Sequence, residues 1–459
     1  MSEQQNKKTV SKADVISRDQ HNVSRRDISD AALRVLRGLN AAGYDSYLVG
    51  GGVRDLLLEQ QPKDFDIATD ATPEQIKKVF RNSRIIGRRF KIVHVRFGRE
   101  IFEVTTFRGP HNNLNVVGDK GQQNIKGLES AQSNKGLILR DNVYGKIDED
   151  AVRRDFTVNS LYYTLENFVI LDFTGGIQDI QEKTIRIIGD PTERYTEDPV
   201  RMLRALRFSA KLNFKIERKT LEPINRLAYL LASISTARLF DESIKLLATG
   251  HARKSFESLK QYKIGQYLFE PTLSAMETDF TKNEQSSRLL DLALHNTDLR
   301  LEEGKSVTPG FLFAALLWPV FQMYMEINKK LKLTKKQLFQ SSIDIAIERQ
   351  LSYTAVPKRF TIAIKEIWRL QSQLERASPR NICMIFSNKR FRAAYDFLLL
   401  REQSGEKLKS ITTWWTQFQI SDEQTQAQMI DSKKSSYDKK KTVKKTKKTV
   451  KKTKKLQVQ

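Results

Sequence analysis

Apolar positions along the first part of the chain keep helical spacing, then switch to the period of a strand. Ala32, Val35, Leu36 and Leu39 recur three and four apart, with Ser29 placed as an N-cap and Gly43 as a stop, which predicts a helix. Tyr47, Leu48 and Val49 follow as an apolar run too short for a helix, and they predict a buried strand. Gly50, Gly51 and Gly52 end that run, and a second helix starts near Val53. Asp64-Phe65-Asp66-Ile67 alternates as a strand does, with Asp64 and Asp66 on one face and Phe65 and Ile67 on the other. Thr72-Pro73-Glu74-Gln75 then supplies a cap, a proline at the first helical position and a capping-box Gln, for a helix running to about Phe80. Residues 85–95 and 101–107 predict a strand pair separated by Gly98. In the first of these, Arg89, Lys91, Val93 and Val95 share a face, opposite Phe90, Ile92 and His94, so a cationic edge is available to a nearby site.

Residues 108–139 break the pattern, with glycines at 109, 118, 121, 127 and 136 among Asn, Gln and Ser. A connection that long inside a compact domain is either mobile or functional. The segment 148–163, DEDAVRRDFTVNSLYY, runs into an apolar strand, residues 168–173 form another, and Gly175-Gly176 makes a turn. From Asp198 the spacing is helical: Arg201, Arg204 and Arg207 fall three apart on one stripe, with Met202, Leu203 and Leu206 toward the opposite side. Residues 220–418 are helical by period. Leu239, Phe240, Ile244, Leu246 and Leu247 suit one amphipathic helix, and 311–323 is apolar nearly all round, hence a buried one. Pro309, Pro319, Pro357 and Pro379 mark boundaries, and Trp414, Trp415 and Phe418 suit core packing or stacking on RNA bases. The expected architecture is an α/β head, a mixed sheet with helices, over 27–175, followed by an all-α neck (176–240) and body (241–420). Residues 1–26 and the lysine-rich tail 421–459 are expected to be disordered.

Charge narrows the partners. The chain of 459 residues carries a formal +25, which points to a polyanion, nucleic acid before membrane. Residues 433–455 hold thirteen lysines and one acid, Asp438, so 13 − 1 = 12 of that excess sits in the tail. No run of about eighteen apolar residues exists to span a bilayer, and no secretory signal is recognisable. The one cysteine, Cys383, excludes an internal disulfide and, with five histidines, argues against a zinc site. The cytoplasm is the expected compartment.

The candidate chemistry lies in 47–69, YLVGGGVRDLLLEQQPKDFDIAT. A glycine turn leaves backbone amides bare, and two carboxylates side by side repel unless a cation sits between them. Hard oxygen ligands at that spacing suit magnesium, so Asp64 and Asp66 are the candidate metal ligands. The order of strand, glycine turn, basic helix start and DxD on a second strand resembles the signature of nucleotidyltransferases of the polymerase-beta superfamily. Within it the chain is similar to the class II branch, which holds bacterial poly(A) polymerases and CCA-adding tRNA nucleotidyltransferases. The run IIGRRF followed by HV is more similar to the poly(A) polymerases.

That resemblance implies transfer of AMP from ATP to RNA 3′ ends, of messenger and other transcripts, with two magnesium ions on Asp64 and Asp66. RRD in 148–163 resembles the motif that supplies Asp155 as the third carboxylate, with Arg153 and Arg154 facing phosphate. Gly51, Gly52 and Arg54 would seat the triphosphate. The run from Glu197 resembles an EDxxR motif in which Asp198 and Arg201 read the base and Arg204 and Arg207 contact phosphate. RNA-decay proteins are the expected protein partners. The alternatives are a CCA-adding enzyme acting on tRNA and a noncatalytic RNA-binding protein built on the same head.

Overall fold

The computed structural model describes residues 12–87, 90–109, 115–117, 130–133 and 138–435, and the chain divides into two compact units, Met1–Ile234 and Ser235–Gln459. The first unit takes in residues 27–175, read as the head, and 176–234 of the stretch read as the neck, while 235–240 fall in the second.

The first unit is built on a mixed sheet of eight strands. In chain order these are β1 (Asp14–Ile16), β2 (Ser46–Val49), β3 (Asp66–Thr69), β4 (Ser83–Ile86), β5 (Ile92–Phe97), β6 (Glu100–Thr106), β7 (Leu161–Tyr163) and β8 (Ile170–Asp172). Across the sheet they run β1-β8-β7-β2-β3-β6-β5-β4. β2 is antiparallel to β3 and β7, whereas β3 and β6 are parallel. The helices are α1 (Asp30–Ala41), α2 (Gly51–Leu57), α3 (Pro73–Val79), α4 (Ile147–Arg153), α5 (Gly176–Gln181), α6 (Pro191–Glu197) and α7 (Val200–Leu212). α1 starts where Ser29 accepts the Ala32 amide at 3.2 Å and buries Ala32, Val35, Leu36 and Leu39. At α3 the capping box forms as expected: Gln75 N lies 3.3 Å from the Thr72 hydroxyl and Thr72 N lies 2.8 Å from Gln75 Oε1. The segments Asn115–Val117, Ser130–Ser133 and Ile138–Asp141 make a separate three-stranded sheet.

Two sequence expectations change here. Polarity predicted disorder up to residue 26, yet β1 pairs antiparallel with β8, Ile16 opposite Ile170, and Val23 is buried. The unpaired edge of β8 gives a polar segment backbone partners that its side chains do not advertise. The single strand expected over 85–95 is instead a hairpin, β4 and β5, with Ile85 opposite Val93. Gly87 causes the break: its φ is +88°, and a Cβ there would lie 2.0 Å from the Phe90 carbonyl oxygen. Val93 and Val95 are buried in the core, and Lys91 pairs with Glu74 at 3.4 Å. Arg88 and Arg89 of the IIGRRF run, and most of the glycine-rich connection, lie outside the described residues.

The second unit is helical throughout its described residues. The apolar stretch 311–323 is two helices, Pro309–Leu316 and Trp318–Ile327, bent by 42° where Pro319 cannot donate an amide to the preceding turn. Gly310 admits close packing on the helix Lys358–Glu375, because a Cβ there would fall 2.9 Å from the Ala363 methyl. Trp368 in that helix donates its indole N–H to the Ala314 carbonyl at 3.2 Å and stacks on Phe321. Trp415 and Phe418 are buried, while Trp414 stays at the edge of their cluster with Lys433 Nζ 3.9 Å above its ring. Residues 423–435 are helical, and Met429 and Ile430 pack on that cluster, so the disorder expected from 421 does not hold over 423–435. The lysine-rich remainder from 436 lies outside the described residues.

Candidate active site

Val49, the last residue of β2, is paired with Asp66, the first residue of β3. The chain therefore leaves β2 into the glycine turn directly beside the Asp66 carboxylate. Gly50 adopts φ 71°, ψ −137°, a conformation that side chains disfavour. A Cβ added there would lie 3.7 Å from Arg154 Nη1 and 3.8 Å from Asp66 Oδ2, so the turn runs between a cation and an anion. Gly52 lies against the backbone of residues 64 and 65, with the Asp64 carbonyl oxygen 3.4 Å from where a Cβ would be.

Asp64 precedes β3 rather than belonging to it, so strand alternation does not place the two carboxylates. They are nevertheless close enough for Asp64 to act on Asp66. The Asp66 carboxyl is pushed up to about 6, first by the protein crowding its surroundings, then by Glu103 and Asp64, with Arg154 and Arg204 pulling it down. Its side chain stays open to solvent. Glu103 was not singled out from the sequence. Its place follows from register: Ile67 pairs with Val104 across the parallel strands β3 and β6, which sets Glu103 beside Asp66, and His94 on β5 reaches Glu103 at 3.3 Å.

Arg54 is 2% exposed, and its Nη2 lies 3.4 Å from where a Cβ on Gly51 would be. Its Nε and Nη2 donate to Asp55 at 2.9 and 2.5 Å, and Nη1 donates to Asn159 at 2.5 Å. Asp55 also accepts from Lys211 of α7 at 3.0 Å. Arg54 and Asp55 thus form a buried bracket that holds α2 to α7 and to the segment around Asn159.

Asp155 is likewise committed. Oδ1 accepts the Phe156 amide at 2.8 Å, and Oδ2 accepts Arg204 Nε at 2.6 Å. Burial works against its charge, but Arg204, the Phe156 amide and Asn159 together hold the carboxyl below the usual range. Arg154, by contrast, reaches the glycine turn. Arg201, Arg204 and Arg207 do form one partly exposed stripe on α7, with Met202, Leu203 and Leu206 buried. Arg201 donates to Glu197 Oε2 at 2.8 Å and to the Arg194 carbonyl at 2.7 Å; Asp198 closes α6 and its carbonyl accepts the Arg201 amide at 3.0 Å.

Arg194, which no spacing argument flags, ties this helix pair to RRD. Its Nη2 donates to the carbonyls of Arg153 and Arg154 at 2.6 and 2.5 Å. Burial and the neighbouring Arg201 bring its guanidinium down to about 10.

Three family descriptions match the chain: "Poly A polymerase head domain" over 46–186, "Probable RNA and SrmB- binding site of polymerase A" over 213–276, and "Polymerase A arginine-rich C-terminus" over 332–453. A protein of Salmonella typhimurium named Poly(A) polymerase I is 45% identical over 422 residues, which cover 91% of this chain and 88% of that one. The chain belongs to the poly(A) polymerase family. It is a nucleotidyltransferase enzyme by that membership. The CCA-adding enzyme of Lactobacillus helveticus is 37% identical over 231 residues, 50% of this chain and 53% of its own. Among solved structures, a "tRNA-processing enzyme (apo form I)" superposes with a TM-score of 0.57 at 19% identity, over 89% of this chain and 98% of that one. That neighbour supports the fold: the mixed-sheet head and helical remainder of this polymerase-family chain recur in it. No single helix among the described residues is long and apolar enough to cross a membrane.

Proposed function

We propose that the chain transfers AMP from ATP to the 3′ end of RNA, repeatedly and without a template. The 3′ oxygen attacks the α-phosphorus, its proton is lost, and the bond to the β-phosphate oxygen breaks to release pyrophosphate. The observation that carries this reading is the Gly50 turn, flanked by Asp66 on one side and Arg154 on the other. Its backbone can approach phosphate closely, with a guanidinium at hand for the oxygens.

Asp64 and Asp66 suit magnesium. They are hard oxygen donors, and Asp66 has Glu103 and Asp64 as acidic neighbours. Among the described residues no three His, Cys, Asp or Glu side chains form a metal cage, so phosphate and water oxygens would complete the shell of either ion. Magnesium bound there supplies activation of the attacking hydroxyl and charge neutralisation at the leaving pyrophosphate. Asp155, braced by Arg204, orients the segment behind the site, and Asp198 with Arg201 reads the adenine edge. Arg204 and Arg207 extend the cationic stripe toward phosphate. RNA binding by the helical remainder and the lysine tail, a role in transcript decay and a cytoplasmic setting belong to the same proposal.

Purified protein given an unstructured RNA primer and each NTP separately should build long A tracts from ATP alone. Addition confined to C, C and A on tRNA would assign the chain to the sister activity instead.

A further inference from the structure

Asp150 and Tyr162 flank the RRD run within 148–163, and neither was singled out as a site residue from the sequence. Asp150 is 5% exposed and stands on α4, one helical turn before Arg154. All of its carboxylate is in use. Oδ2 accepts Arg154 Nε at 3.1 Å, Arg154 Nη2 at 3.0 Å and the Tyr162 hydroxyl at 2.6 Å, while Oδ1 accepts the Arg108 amide at 3.0 Å. The Tyr162 hydroxyl also accepts Arg154 Nε at 2.8 Å, and the guanidinium lies 5.0 Å from the centre of the ring below it. Tyr162 is itself immobilised: it is fully buried in β7, among Val49, Ala68, Phe107 and Ala151, and edge-packed by Tyr47 and Phe173.

These contacts hold two of the three guanidinium nitrogens and leave Nη1, the one that faces Gly50. Two N–H groups converging on one carboxylate oxygen, Oδ2, restrain the guanidinium in position and orientation, and a rigid aromatic beneath it removes much of the remaining freedom. Burial alone would make the Arg154 charge less stable, yet Tyr162 and Asp150 more than reverse this, so it stays a cation at any working pH. A counter-charge also matters because Asp66 lies on the other side of the same glycine. Without Asp150, Arg154 would face Asp66 across that glycine without its own counter-ion and would compete there with a divalent cation.

We infer that Asp150 and Tyr162 are positioning residues for nucleotide binding: they aim Arg154 Nη1 across Gly50 at the triphosphate and keep the guanidinium from collapsing onto Asp66. This rests on the reading of the Gly50 turn as a nucleotide site. Asp150→Asn keeps the shape and an acceptor for the Arg108 amide while removing the charge; Tyr162→Phe removes one hydroxyl.

The test is a mutant cycle with Arg154→Ala, read by calorimetric affinity for a non-cleavable α,β-methylene ATP with magnesium and by steady-state extension of an RNA primer. Asp150→Asn should weaken analogue binding and raise KM for ATP about tenfold, Tyr162→Phe about threefold, each with a smaller change in kcat. Adding either change to Arg154→Ala should cost nothing further in affinity, because its target is already gone. Full additivity, or wild-type affinity in Asp150→Asn and Tyr162→Phe beside a weakened Arg154→Ala, would overturn the positioning role alone. Wild-type affinity in Arg154→Ala would overturn the site reading on which it rests. If Asp150→Asn does not fold, Tyr162→Phe in the same cycle decides.

Discussion

Arg204 of α7 grips Asp155 through two nitrogens, Nε at 2.6 Å and Nη2 at 2.5 Å from Oδ2. The carboxylate that follows two arginines in sequence is thus bound by a third from another helix, which locks the RRD segment to α7.

Removing one partner of that pair strands the other in a site where Asp155 is only 12% exposed. Asp155→Ala should therefore cost about 2 kcal/mol in urea unfolding at pH 7, less than a fully buried pair because Arg204 is one-third exposed. The pH dependence has a definite sign. The folded carboxyl is more acidic than the unfolded one, near 3.9, so its contribution is complete above that value and is lost as pH falls through the folded one. Wild type should lose stability relative to Asp155→Asn in acid titrations below about pH 4.

Asp66 has the opposite sign. Its folded value, about 6, lies above the unfolded one, so the ionised carboxylate burdens the metal-free fold as pH rises from about 4 to 6. Asp66→Asn should raise the melting temperature in EDTA at pH 8 and about half as much at pH 5, while abolishing extension. Because the side chain is open to solvent, the gain should stay below about 1 kcal/mol. An equal gain at both pH values would contradict the charge explanation.

Arg194 serves as a backbone clamp, holding two carbonyls and Glu197 from a position 9% exposed. Arg194→Met should destabilise by about 3 kcal/mol through the unsatisfied carbonyls and reduce primer extension together with it. Arg194→Lys should recover little, since an ammonium cannot span both carbonyls and the carboxylate in one plane.

What the sequence made legible was whatever a local rule controls. Ser29, Thr72 with Gln75, and the glycine run each fix their neighbours' backbone within a few residues, and α1, α3 and the β2-to-α2 turn follow. The stripe of Arg201, Arg204 and Arg207 was legible for the same reason. Which carboxylate each arginine would meet was not. Arg204 finds Asp155 across 49 residues and Lys211 finds Asp55 across 156, distances over which spacing says nothing. Glu103 was hidden until the parallel register of β3 and β6 set it beside Asp66. The pair Asp150 and Arg154 was available as an i, i+4 contact in DEDAVRRD, but its partner Tyr162 needed the sheet.

The tail carries a salt-dependent prediction. A chain truncated after residue 435 loses eleven of the thirteen tail lysines and should bind single-stranded RNA more weakly with a shallower dependence on salt. Each phosphate contact removed lowers the slope of log K against log salt by about 0.7, so titrations across a range of KCl give the number of contacts directly. An unchanged slope would make the tail a solubilising appendage.

Single-turnover extension of an RNA primer with ATP and magnesium, wild type against Asp64→Ala and Asp66→Ala at equal RNA occupancy, tests the centre of this account. Adenylate addition should fall at least a thousandfold in both variants with RNA affinity unchanged. Extension that persists in either variant at near wild-type rate would show that the carboxylates beside the Gly50 turn are not where the chemistry happens.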